Sequence, residues 1–95
     1  METVEKAKFS LGRVVTTPGA LSAFEAAQER ALGYLLRHAS GDWGELCKDD
    51  QEENRLSLKE GFRLLSAYTL RSGIKIWIIT EGNRSVTTIL LPDEY

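Results

Sequence analysis

The chain has 95 residues, of which 42% are hydrophobic and 27% charged, with a formal net charge of −2. Those proportions describe an ordinary globular domain with a single core. The weak, evenly spread charge argues against a sequence-independent nucleic-acid binder, which needs a basic stripe to release counterions, and no run of about 18 apolar residues is present to form a transmembrane helix.

In chain order, residues 1–7 are polar and read as frayed. The opening Met-Glu-Thr-Val-Glu-Lys lacks the apolar core of a signal peptide. Cys47 stands alone, so no intramolecular disulfide can form, and a cytoplasmic location is expected. Phe9, Leu11 and Val15 alternate with Ser10 and Gly12, which predicts a strand from about Lys8 to Val15. Thr17-Pro18 is a helix start, since threonine caps and proline at the first helical position loses no hydrogen bond. Leu21 and Phe24, with Ala20 and Ala27, predict a helix to about Ala27. A second helical pattern runs from about Glu29 to Ala39, with Leu32, Leu35 and Leu36 on one side, and whether Gln28 separates the two is open. Ser40-Gly41-Asp42-Trp43-Gly44 reads as a loop. Lys48–Glu60 is strongly charged and reads as a solvent-facing helix ending at Gly61, which suits a left-handed cap.

Phe62 to Leu91 then reads as three antiparallel strands rich in β-branched and aromatic residues. Gly82-Asn83 is a favoured pair for a two-residue hairpin; it would put Trp77 opposite Thr88 and Ile76 opposite Ile89. A two-residue turn at Ser72-Gly73 would put Tyr68 opposite Trp77. One face would then carry Leu65, Ala67, Ile74, Ile76, Ile78, Ile89 and Leu91. The other would carry Leu64, Tyr68, Leu70, Trp77, Ile79, Val86, Thr88 and Leu90. Both are apolar, so both need cover. Pro92 ends the sheet. The fold class expected is α+β: an N-terminal strand, two to three helices, then a three-stranded antiparallel sheet with the helices on one face. The whole chain is read as one domain.

Arg37-His38-Ala39-Ser40-Gly41-Asp42-Trp43-Gly44, Lys75 to Glu81 and Arg84 to Pro92, together with Lys8 to Leu21, resemble a family of short bacterial plasmid-related proteins. Its members often lie in mobile-element or restriction-gene neighbourhoods and carry no assigned activity. The resemblance covers nearly the whole chain, but Gly82-Asn83 stands where Ala-Asp is usual, so no role for an aspartate there transfers. It implies a small cytoplasmic accessory protein and supplies no active residues. In topology alone, the element order is similar to RelE/barnase-like ribonucleases and toxins, which is weak ground for function.

The candidate chemistry is sparse. His38 is the only histidine; with Glu45 and a basic group such as Arg84 it could form an acid–base set. Its bland role is capping the last carbonyls of its helix. Cys47 has acidic neighbours that oppose a thiolate, so a structural cysteine is expected. No metal-ligand spacing is present, and neither a metal nor a cofactor is expected. Trp43, beside Asp42 and between two glycines, could stack on a base or insert into a partner, or fold over the core as a lid. Arg71, Arg84, Thr87 and Thr88 could line a phosphate-handling face; more simply, Arg84 pairs with Glu81 across the hairpin. The favoured reading is a non-enzymatic interaction protein using Trp43, Asp42, Tyr68 and Trp77. Its partner would be a protein or a second copy, rather than a membrane or a nucleic acid. The rival is a ribonuclease-like enzyme using His38, Glu45 and Arg84.

Overall fold

A computed structural model describes residues 7–95, so the expectation for residues 1–6 lies outside the described residues. The elements in order are β1 (Arg13–Thr16), α1 (Pro18–Ala27), α2 (Ala31–Ala39), α3 (Lys48–Glu60), β2 (Leu64–Thr69), β3 (Lys75–Thr80) and β4 (Val86–Leu90), followed by a 3₁₀ turn at Pro92–Glu94. The class is α+β, but the sheet has four strands in the order β1-β4-β3-β2, with β1 parallel to β4 and the other pairs antiparallel. The three-stranded antiparallel sheet is therefore corrected to a four-stranded mixed one. A parallel neighbour is a non-local pairing that the short local pattern of β1 does not encode.

Local chemistry sets most boundaries. The Thr17 side chain accepts from the Ala20 amide, with Pro18 in the first turn of α1. Gln28 closes α1 in the left-handed region at φ 55°, which makes two helices rather than one. Gly61 closes α3 at φ +80°. β1 is shorter than expected. Before it, the Lys8 amide bonds the Ala39 carbonyl, so that segment lies against the end of α2 instead of in the sheet.

Both hairpins differ from expectation. The first has a three-residue loop: the Leu70 amide bonds the Ile74 carbonyl, and Gly73 takes φ +94°. A left-handed glycine at the third loop position is the usual solution for that length. The change pairs Ala67 with Trp77 and Tyr68 with Ile76, and so moves all of β2 to the opposite face from the expected one. The second loop is wider by two residues, pairing Trp77 with Leu90 rather than Thr88. A two-residue shift keeps faces, so Trp77 stays where it was expected. Gly82 is not needed for positive φ. A Cβ there would lie 2.7 Å from the Gly61 carbonyl oxygen, so glycine permits that close approach.

One sheet face carries Leu64, Tyr68, Leu70, Ile76, Ile78 and Ile89, all buried, and packs against Ala20 and Phe24 of α1 and Tyr34 and Leu35 of α2. Each such apolar side chain contributes roughly 1.5–3 kcal/mol relative to exposure, so this face dominates stability. The other face carries Leu65, Ala67, Trp77, Ile79, Val86, Thr88 and Leu90. Its cover includes Tyr95, whose ring meets Trp77 edge-on at 5.8 Å.

The β2 edge is closed. The Asn54 amide of α3 bonds both the N–H and the C=O of Leu65. The Ala67 N–H and C=O are taken by the Trp43 carbonyl and the Glu45 amide. Gly44, at φ +74°, forms this bridge, and a Cβ there would lie 2.0 Å from the Ala67 carbonyl oxygen.

Gly44→Ala is expected to cost at least about 2 kcal/mol, since it adds both a backbone clash and left-handed strain. Gly33→Ala, in α2 with nothing within 4 Å of the new Cβ, should instead stabilise by about 0.5–1 kcal/mol. Urea midpoints of the two variants test the contrast; equal midpoints would contradict it.

Candidate functional site

The one histidine is fully buried. It occupies the inward stripe of α2 with Ala31, Tyr34 and Leu35, at helical spacings of three and four. Its Nδ1 lies 2.5 Å from Ser66 Oγ on β2, and its Nε2 2.9 Å from Thr80 Oγ1 on β3. Thr80 Oγ1 lies 2.7 Å from Thr87 Oγ1 on β4, which donates at 2.7 Å to the Leu11 carbonyl. A carbonyl only accepts, so every proton in the chain is assigned. Thr87 donates to Leu11, and Thr80 therefore donates to Thr87. His38 Nε2–H then donates to Thr80, and in the neutral ring Nδ1 accepts from Ser66. Among the described residues, no buried side-chain nitrogen or oxygen lacks a partner.

Burial lowers the His38 pKa to about 4, with the Arg84 guanidinium a second cause. The rings of Phe9 and Trp43 meet the imidazole edge-on at 5.2 and 5.7 Å. The side chain therefore does not cap its helix, as the simpler expectation held. It is a neutral joint between α2 and three strands.

The proposed acid–base set does not converge. Glu45 is exposed, accepting from the Thr69 hydroxyl at 2.9 Å and pairing with Lys75 at 3.8 Å. Arg84, at φ 60°, donates to the carbonyls of Phe62, Glu81 and Ser57, tying the end of α3 to the second hairpin. The Glu81 carboxylate pairs with Arg63 at 3.7 Å rather than with Arg84. Arg71 bonds the Gln28 carbonyl and approaches the Glu29 carboxylate. Thr87 is buried in the hydroxyl chain, away from any phosphate-handling surface. Cys47 is exposed at the start of α3 and makes no side-chain cap, so it is not the structural cysteine expected.

The proposed binding residues fall in two places. Trp43 is 9% exposed and stacks on Phe9 at 6.2 Å, which makes it a lid over His38. Asp42 is held by Arg37 at 2.7 Å and accepts from the Gly44 amide; Arg37 keeps its carboxyl below the usual range. Tyr68 is buried on the helix side and donates to the Asp42 carbonyl, and burial pushes its phenol up to about 12. It cannot share a surface with Trp77, as the expected register had it. Only Trp77 is on the helix-free face. There a recess of about 190 Å³ lies between Arg63 and Tyr95, floored by Ile79, Thr88 and Leu90. A larger one of about 360 Å³ runs between α3 and β2, lined by Leu46, Asn54, Phe62 and Leu65. Ser66, Thr80 and Asn54 were not singled out from the sequence. Small hydroxyls at inward strand positions and one asparagine in a charged helix were the available signals.

No known protein family, curated protein or solved structure matches this chain. Among the described residues, no helix is long and apolar enough to cross a membrane.

The unfolded chain takes up the His38 proton near pH 6.5, the folded one only near pH 4. Stability is thus full above about 6.5 and is lost as pH falls through that window, by about 3 kcal/mol in all. Urea unfolding between pH 7 and 4.5 should show this loss in the wild type and a shallower loss in His38→Gln. Equal slopes would contradict it.

Proposed function

We propose that this chain is a small non-catalytic binding protein that presents the helix-free face of its sheet to a protein partner. The carrying observation is the asymmetry of the two faces. One is sealed under α1 and α2. The other buries Ala67, Ile79 and Leu90 but leaves Trp77, Val86 and Leu65 half-buried beside two recesses and an exposed Tyr95. An apolar centre with aromatic side chains and a rim of mixed charge, here Glu45–Lys75 and Arg63–Glu81, is the usual anatomy of a protein interface. Against catalysis stands His38. Both its ring nitrogens are engaged, no carboxylate joins its hydroxyl chain, and it has no exposed edge. A cytoplasmic setting beside bacterial mobile elements, implied by the resemblance of Arg37 to Gly44 and Arg84 to Pro92, belongs to the same reading.

Cross-linking in the native cell, followed by recovery of the chain, tests this. A protein recovered with the wild type should be lost with Val86→Glu and kept with Leu32→Glu, which changes the exposed flank of α2. Loss with Leu32→Glu alone would move the interface to the helices. Purified protein should leave structured and single-stranded RNA intact; cleavage that disappears in His38→Ala would overturn the reading.

A further inference from the structure

The two edges of the sheet are treated differently. The β2 edge is closed by Asn54, Trp43 and Glu45, as above. Among the described residues, β1 pairs with β4 alone. All four β1 residues are exposed, including valines on both faces. An open edge with apolar side chains is a template for another strand, which monomeric proteins usually blunt with lysine, proline or a bulge.

The phase of the open groups is fixed. The amides of Arg13 and Thr17 bond the carbonyls of Ser85 and Ile89. Alternation therefore turns both backbone groups of Val14 and of Thr16 outward. Gly12, at φ +64°, is not extended, and Pro18 has no N–H, so pairing cannot run past either. Three two-fold antiparallel registers fit this phase. One centred on Val14 sets Thr16 against Gly12 of the other copy. One centred on Thr16 sets Val14 against Pro18. Only the register centred on Val15 pairs Val14 with Thr16 in both directions and satisfies all the outward groups.

That register also complements charge. It sets Arg13 opposite the partner's Thr17. Thr17 donates to Glu94 Oε1 at 2.5 Å, so a carboxylate waits at that position. Arg13 makes no ion pair among the described residues, and it shares the helix-free face with Val15 and Thr17. Facing side chains on an antiparallel pair lie close enough for a guanidinium to reach that carboxylate.

We propose that β1 is a dimerisation edge, and that two copies of this chain join β1 to β1, antiparallel, about a two-fold axis at Val15. The product is one continuous eight-stranded sheet, twice the four of a single copy. The inference goes beyond the partner-binding face and lengthens it, since both helix-free faces then lie on one side.

Val15 and the partner's Val15 form a non-hydrogen-bonded pair with Cα atoms about 4.5 Å apart, within disulfide reach. In a Cys47→Ser background, Val15→Cys should oxidise in a glutathione buffer mainly to a covalent dimer. Arg13→Cys, whose copies are offset by about 13 Å in this register, should not. Light scattering on the reduced wild type should show mass rising with concentration. Arg13→Glu should lower association roughly tenfold by opposing Glu94. Val15→Lys, which sets two cations across the axis, should leave a folded monomer. A wild type that stays monomeric throughout, or equal cross-linking of the two cysteine variants, would overturn the proposal. Either result would leave the partner-binding face standing.

Discussion

The chain of hydrogen bonds from Ser66 through His38, Thr80 and Thr87 to the Leu11 carbonyl holds the rest of this structure in place. It joins α2, three neighbouring strands and the segment leading into β1, all at zero exposure for its four side chains. Each neutral bond contributes only about 1 kcal/mol net, but a buried group left without its partner costs about 1–3 kcal/mol. The chain therefore acts as a constraint more than as glue. Any slip of β2 against β3, or of α2 along its axis, leaves several groups unpaired together. Because the terminal acceptor is a carbonyl, the protons run one way and the imidazole has a single neutral form that fits.

That constraint also decides what the molecule can do. A histidine beside a serine hydroxyl suggests a nucleophile and its base. Here the pair is sealed under Phe9 and Trp43, and the imidazole is held neutral by burial. With α1 and α2 committed to one face of the sheet, the opposite face and the β1 edge are the surfaces on which the proposed contacts rest. The edge is exposed along all of β1, and the opposite face is covered only in part, with Ala67, Ile79 and Leu90 buried and Leu65, Trp77 and Val86 half-buried. α3 is too polar to cover a sheet face and is used instead to close the β2 edge through Asn54.

Much of this was legible in the chain. Thr17-Pro18 starts α1 and Gly61 ends α3 because capping chemistry is local. The face of Trp77 was legible from alternation alone. The registers were not, because loop length depends on tertiary contacts. Gly82 is fitted against Gly61, and Arg84 reaches back to Ser57, which widens the second hairpin. The single extra residue in the first loop moved Leu64, Ser66 and Tyr68 to the other face and hid the partner of His38. The stripe expected for α2, Leu32, Leu35 and Leu36, was misplaced: Leu32 and Leu36 are exposed, and Ala31, Tyr34, Leu35 and His38 face inward, so a lone histidine drew attention as chemistry before it was read as core. Phe9 and Leu11 alternated like a strand, whereas their segment serves to cover and terminate the hydroxyl chain.

The claim on which the account turns is that His38 is a locked neutral joint. Its ring nitrogens can be observed directly by long-range proton–nitrogen correlation NMR across a pH titration of the folded protein. A locked joint shows the Nε2–H tautomer and no imidazolium at pH 6, where an unperturbed histidine is mostly charged. An imidazolium at that pH, or the Nδ1–H tautomer, would contradict it and return His38 to the candidates for catalysis.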